Sequence, residues 1–326
     1  MIVVTGATGF IGSNIVADLN AAGRSDLILV DELGTESKWK NIAKRRFQDL
    51  VVPAELDALL TKLTRADVVY HLGANSSTTA RDGDAILKSN FRSSKSLWEW
   101  CSRTSTPLIY ASSAATYGAG ELGFDDDQAL DSLDKLRPLN LYGWSKHAFD
   151  KWAVEQSLLR AAPPQWCGLK FFNVYGPNEH HKGDMRSLVC KNTASVAAGQ
   201  AVKLFKSHRD DFADGQQLRD FVYVKDCTRV MLWLAGRPEV SGIFNLGTGR
   251  ARSFVDLTNA IGAALDQTAR IEFIDMPEEI RANYQYFTEA RMEKLTGVGY
   301  PQPFFSLEDG VADYVQRYLL HSDSYR

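Results

Sequence analysis

Three features of the sequence predict an α/β fold, a doubly wound parallel sheet joined to a smaller mixed α/β domain. Strand and helix alternate through the first half of the chain, a glycine-rich turn links the first strand to the first helix, and the alternation loosens after Pro177. At 326 residues the chain exceeds a single domain of about 100–200 residues, so a large unit with a smaller partner is expected.

The elements follow in order. Ile2–Thr5 is a short β-branched run closed by Gly6, and Ile11–Ala22 has helical periodicity that stops at Gly23. Leu27–Asp31 predicts a second strand, Val68–His71 a third and Leu108–Ala111 a fourth, with helical stretches between them, notably Asp84–Thr104. Tyr142–Leu159 predicts a long helix and Cys167–Phe172 a buried strand. Such alternation requires a parallel sheet covered on both faces, with right-handed crossovers. Further along, Asp184–Gly199 reads as helix, and short strands are expected at Val202–Phe205, Phe221–Val224 and Ile243–Leu246, the first two separated by the polar stretch Ser207–Gln217. Helices are expected near Phe254–Leu265, Glu289–Thr296 and Ser306–Leu320.

Composition excludes several classes. Apolar residues make up 44% and charged residues 24%, ordinary for a globular enzyme, and a net charge of −3 argues against a nucleic-acid or anionic-membrane partner. The one dense basic cluster, Lys44-Arg45-Arg46, reads as a solvated face. Cys101, Cys167, Cys190 and Cys227 form no C-x-x-C pair and no zinc spacing, so no metal site is expected and reduced cytoplasmic thiols are the simplest reading. The first residues lack the charged region of a signal peptide, and no apolar run reaches the roughly 18 residues of a membrane span.

Gly6-Ala7-Thr8-Gly9-Phe10-Ile11-Gly12 spaces its glycines G-x-x-G-x-x-G between a strand and a helix. Gly6 permits a tight turn, Gly9 lets backbone approach a diphosphate, and Gly12 lets helix pack on strand. The helix start then offers free N–H groups and partial positive charge to phosphate. Asp31 ends the second strand, where a carboxylate bonds the ribose 2′-hydroxyl of NAD, whereas Lys38 could receive the 2′-phosphate of NADP. The fold is therefore Rossmann-type. Residues 1–173 are expected to form its dinucleotide domain, with a segment of about 219–250 returning to it, and residues 174–326 to bind mainly substrate.

Tyr142 and Lys146 form Y-x-x-x-K, a spacing that places both side chains on one helix face. A phenol of pKa about 10 is too weak a base at neutral pH, but a neighbouring ammonium and a cationic nicotinamide ring favour the phenolate. Ser112 and Ser113 follow the fourth strand at the end where doubly wound sheets bind ligands. Ser113 is the candidate hydroxyl for a reacting sugar oxygen, while for Ser112 strand-end capping stands equally open.

The glycine loop, Ala111-Ser112-Ser113-Ala114-Ala115-Thr116-Tyr117-Gly118, the Tyr142/Lys146 pair and Phe172-Asn173-Val174-Tyr175-Gly176-Pro177 together resemble the extended short-chain dehydrogenase/reductase family of nucleotide-sugar epimerases, dehydratases and decarboxylases. Segments 219–226 and 242–249 fit the family's second half. Family dehydratases carry an Asp-Glu pair after the active-site hydroxyl, and Ala114-Ala115 here favours epimerisation. Segments 76–79, 179–183 and 284–288 are similar to the branch that inverts C6 of an ADP-linked heptose.

That resemblance implies transient oxidation of C6 and return of hydride to the other face, with NADP as cofactor and NAD as the alternative. It implies Tyr142 as acid–base group on one side and Lys182 on the other, the lysine requiring a pKa lowered by burial or nearby cations. It places Phe10, Ile11, Asp31, Glu32, Lys38, Leu72, Gly73, Ala74, Asn75, Ser76, Asn90, Lys146 and Val174 on the dinucleotide. It places Asn173, Asp184, Lys191, Phe205, Lys206, Ser207, Arg219 and Tyr284 on the substrate, with Arg219 suited to the diphosphate because a guanidinium bonds phosphate bidentately. His180 and His181 read as loop residues, since no third ligand has metal spacing. Asp184 and Lys191 stand where the family usually has Ser and His, and Ser207–Gln217 is longer than usual. A homo-oligomer is implied by family analogy. The competing readings are a UDP-hexose 4-epimerase and a non-catalytic dinucleotide-binding redox sensor.

Overall fold

The structure, a computed structural model, describes residues 1–281, 284–301 and 303–326. Seven strands build the main sheet: β1 (Ile2–Thr5), β2 (Leu27–Val30), β3 (Asp49–Val51), β4 (Val68–His71), β5 (Leu108–Ser113), β6 (Trp166–Phe171) and, much later in the chain, β10 (Gly242–Leu246). They lie in the order β10-β6-β5-β4-β1-β2-β3, and every pairing is parallel. The remaining strands, β7 (Asn173–Tyr175), β8 (Ala201–Phe205), β9 (Leu218–Tyr223), β11 (Ala251–Ser253) and β12 (Arg270–Ile274), form two small sheets, β11-β9-β7 and β12-β8.

Alternation along each strand divides the core. Ile2, Val4, Leu27 and Leu29 face one layer with Ile15, Val16 and Leu19 of helix Phe10–Ala21 and Val230, Met231 and Leu234 of helix Val224–Ala235. Val3, Ile28, Val30 and Val69 face the other, with Leu97, Trp98 and Cys101 of helix Ser93–Thr104 and Phe149, Ala153 and Val154 of helix Leu141–Leu158. Both faces are apolar because both are covered, as a parallel sheet requires. A third cluster, including Val189, Val196, Leu204, Leu257, Ile261 and Val311, holds the small sheets to their helices.

Several elements differ from expectation. β3 is a half-exposed edge strand whose Asp49-Leu50-Val51 is too short and polar to stand out, and β12 is a largely exposed strand where the sequence predicts no element. Val224 starts a helix instead of ending a strand; Val224, Cys227, Met231 and Leu234 recur at helical spacing and are fully buried. The helix expected over Asp84–Thr104 contains a π segment, Leu87–Arg92, that rotates Asn90 into the interior.

Candidate active site

The C-terminal ends of β1, β4, β5 and β6 open into a cleft of about 750 Å³, the position where open α/β sheets receive ligands. Its floor is the glycine loop. Gly6 has φ +66°, and a Cβ there would lie 2.6 Å from Gly73 N; a Cβ on Gly12 would collide with the Gly6 carbonyl. No side chain caps helix Phe10–Ala21, so its first N–H groups face the cleft unpaired, a ready site for a diphosphate. Close backbone approach, open N–H groups and a nearby carboxylate fit a dinucleotide.

Buried polar groups brace this floor. Thr5 Oγ1 pairs with His71 Nδ1 at 2.7 Å and accepts from Gly73 N at 3.0 Å, while His71 Nε2 lies 2.8 Å from Ser94 Oγ. Burial, then Lys146, hold His71 down to about 3, so the ring is neutral. Asn90 accepts from Asn75 N at 2.8 Å and donates to the Asn75 carbonyl and to Ser145 Oγ, both at 2.9 Å. Asn90 and Asn75 are not in the cleft lining; they fix the loop that brings Leu72, Gly73, Ala74 and Ser76 into it.

At the rim, Asp31 accepts from Thr8 N at 2.8 Å, Thr8 Oγ1 at 2.7 Å and Lys38 Nζ at 2.7 Å. Glu32 is exposed, and it is its carbonyl that receives Lys38, at 2.8 Å.

Tyr142, Lys146, Ser112 and Ser113 line the cleft together. Helix Leu141–Leu158 presents the first two, with its N-cap Asn140 accepting from Gly143 N at 2.8 Å. Burial raises the Tyr142 phenol, and the neighbouring Ser113 hydroxyl opposes that rise. Burial lowers Lys146 to about 8, with Asp150 pulling the other way. Behind them, fully buried Asp150 accepts from Ser112 Oγ at 2.6 Å and Tyr110 OH at 3.0 Å, 3.8 Å from Lys170 Nζ. The Ser112 hydroxyl is therefore committed to this network, leaving Ser113 toward the cleft.

From the other unit, the 3-10 segment His180–Met185 contributes Lys182. Burial lowers the Lys182 ammonium, partly opposed by Glu179, and its Nζ lies 5.1 Å from the centroid of the Phe10 ring. Glu179, itself buried, anchors the segment by accepting from Ser187 Oγ at 2.6 Å. His181 pairs with Asn41 Nδ2 at 3.1 Å. Asn173, Val174 and Lys191 also line the cleft.

Residues 2–247 match the family described as NAD dependent epimerase/dehydratase family. The chain belongs to that family. Over their whole length, the chain and the ADP-L-glycero-D-manno-heptose-6-epimerase of Nitratidesulfovibrio vulgaris (strain DP4) are 48% identical, covering 100% of each. The same identity and coverage hold for the enzyme of that name from Fusobacterium nucleatum subsp. nucleatum. The crystal structure of Helicobacter pylori ADP-L-glycero-D-manno-heptose-6-epimerase superposes with a TM-score of 0.77 at 28% identity, covering 97% of this chain and 95% of that one.

Within this family member, the other residues expected on substrate stand back from the lining. Arg219 is 7% exposed, donates to the Leu218 carbonyl at 2.8 Å and to the Gln285 carbonyl, and stacks over Tyr284 at 5.2 Å and Phe254 at 5.7 Å. Of these, Phe254 lines the cleft. Phe205 packs edge-on against Tyr284 at 6.3 Å, Lys206 pairs with Asp275 at 3.2 Å, Ser207 bonds Arg209, and Asp184 is exposed. Conversely, Met185, Arg186, Ser187 and Leu188 line the cleft unforeseen. Ser187 had a readable signal, since it caps helix Leu188–Ala197 by accepting from Cys190 N at 3.2 Å; Arg186 had none.

Proposed function

We propose that this chain inverts C6 of ADP-D-glycero-D-manno-heptose with no net change in oxidation state, working with a bound NADP. The observation that carries the reading is that two proton-handling groups from different elements, Tyr142 and Lys182, enter one cleft above the glycine loop; the full-length likeness to heptose epimerases supports the choice of sugar.

Gly6–Gly12, Leu72, Gly73, Ala74 and Val174 would hold the dinucleotide, with Asp31 and Lys38 toward its ribose. When bound, it supplies a hydride acceptor that later gives the hydride back. Lys146, by its charge, favours the phenolate of Tyr142. Tyr142 takes the proton of the C6 hydroxyl as the C–H bond breaks, and Ser113 bonds the same oxygen. The resulting carbonyl turns within the cleft. Lys182 then protonates the oxygen as hydride returns to the other face of C6. Asn173 and Lys191 hold the sugar, and Arg219, steadied by Tyr284, meets the diphosphate bidentately. Ala114 and Ala115 supply no acid for eliminating water, which keeps the outcome an inversion.

Among the described residues no helix is long and apolar enough to cross a membrane, and the proposed setting is the cytoplasm, with a homo-oligomer as the working form. The decisive experiment is incubation of the purified protein with ADP-D-glycero-D-manno-heptose while C6 is followed by NMR, with UDP-galactose as a parallel substrate. Conversion of the heptose to its C6 epimer is expected; turnover of UDP-galactose alone would reject the assignment.

A further inference from the structure

The proposed acid–base lysine sits on a short segment, His180–Met185, that has little secondary structure of its own to hold it. What packs on that segment is the far end of the sequence. Tyr325 lies edge-to-face on the His180 ring at 5.1 Å, with an interplanar angle of 61°. Arg326 N donates to Asn178 Oδ1 at 2.9 Å. Asn178 is fully buried with φ +74°, an unusual backbone state for a residue with a side chain, and its Nδ2 donates to Ser13 Oγ at 3.0 Å. The Arg326 guanidinium reaches Asn14 Oδ1 at 3.1 Å and pairs with Asp18. Ser13, Asn14 and Asp18 all belong to the helix that opens with the glycine loop. A second tie holds the strap from outside, with Lys44 Nζ 2.5 Å from Asp323 and 2.6 Å from the Tyr325 carbonyl.

We propose that Asp323–Arg326 is a strap that locks the Lys182 segment to the dinucleotide helix, making Tyr325 and Arg326 positioning residues for Lys182. The inference rests on the reading of Lys182 as the second acid–base group. The geometry is specific to it: the strap bonds the turn at Asn178 and packs on the ring of His180, four and two residues before Lys182, and bonds the helix carrying Phe10, over whose ring the ammonium lies. It makes none of its bonds to Tyr142, Ser113 or Lys146. A shift of about 1 Å in a reacting group can lower turnover on the order of a hundredfold without affecting binding, so the strap should act on kcat and leave KM and dinucleotide affinity alone.

The test combines Tyr325→Ala with Arg326→Ala in the native background and in a Lys182→Ala background, reading kcat and KM for C6 inversion and hydrogen exchange over residues 180–186. The expected result is a kcat lowered about tenfold to a hundredfold, unchanged KM, faster exchange in the segment, and recovery of kcat in the conservative pair Tyr325→Phe with Arg326→Lys. In the Lys182→Ala background the strap changes should cause no further loss. Unchanged kcat and exchange in the native background overturns the strap, as does an equal loss in both backgrounds. Full turnover in Lys182→Ala alone instead overturns the acid–base reading of Lys182, and the two failures are thus told apart.

Discussion

Lys38 Nζ sits 2.7 Å from Asp31 Oδ1, and the same carboxylate is held by Thr8 through both its backbone N–H and its hydroxyl. The cation is therefore fixed beside the glycine loop before any ligand arrives. A ribose 2′-phosphate would find an ammonium in place, whereas a free 2′-hydroxyl needs only the carboxylate. Lys38→Met should raise the Kd for NADP roughly tenfold, the scale of a hydrogen bond to a charged group, and leave that for NAD little changed. Fluorescence titration of the dinucleotide-free protein reads both; loss of NAD affinity with NADP unaffected would remove Lys38 from the 2′-position.

Tyr142→Phe deletes one oxygen from a half-buried ring and leaves packing intact. Turnover should fall by about 10² to 10⁴-fold, the usual weight of a positioned acid–base group, with the melting temperature and dinucleotide binding retained. Ser113→Ala should cost less, because that hydroxyl only assists. Native-like C6 inversion by the phenylalanine variant would end the acid–base account and revive a redox sensor.

The main sheet and the cofactor floor were legible because local chemistry dictates them. β-branched runs make buried parallel strands, and Gly6 and Gly12 stand where a Cβ has no room. Spacing alone says little of Tyr142 and Lys146; the glycine loop and Ser112-Ser113 singled the pair out, and the two side chains line one cleft with Ser113. What escaped was set by tertiary context. β3 and β12 are strands because a neighbour's edge pairs with them, their own residues being half-exposed. Asn90, expected on the dinucleotide, lies buried in a π segment behind the cleft lining, a turn that helical periodicity does not announce. Arg186 lines the cleft just after a kink at Gly183, which has φ +54° and whose carbonyl accepts from Arg186 Nε at 2.8 Å. The substrate side was least legible: of the residues expected there, Arg219, Tyr284 and Phe205 stand back from the lining, where Arg219 stacks on Tyr284 and on Phe254, which lines the cleft.

Gly12→Ala tests the floor directly. Its added methyl would strike the Gly6 carbonyl, a backbone atom that no rotamer change can move. Helix Phe10–Ala21 must then shift off β1, losing stability by about 1–3 kcal/mol and disordering the N–H groups that face the diphosphate. Calorimetry with and without NADP should show a lowered melting temperature and loss of the ligand-induced rise. Gly23→Ala, just past the far end of that helix, is the control: φ is +83° but nothing lies within 4 Å of the added carbon, so stability falls from backbone strain while the ligand-induced rise persists.

Lys146 offers a prediction in which stability and activity move in opposite directions. Burial lowers its ammonium from 10.5 to about 8. Below the folded value both the folded and unfolded chains hold the proton, and the full cost of burying the charge is present. Between the two values the unfolded chain binds more protons, so stability from this group rises with pH. Lys146→Met keeps the apolar stem and removes the charge. At pH 7 the variant should be more stable by roughly 3–4 kcal/mol, from a shift worth roughly 1.4 kcal/mol per unit, and the gain should shrink toward zero near the unfolded value. Burial also lowers the Lys170 ammonium, so native and variant proteins are compared by urea unfolding at each pH from 7 to about 10. C6 inversion should be lost in the variant throughout. A variant no more stable than the native protein at pH 7 would mean that Lys146 is not desolvated, and that its charge reaches Tyr142 through solvent and not through the dry wall of the cleft.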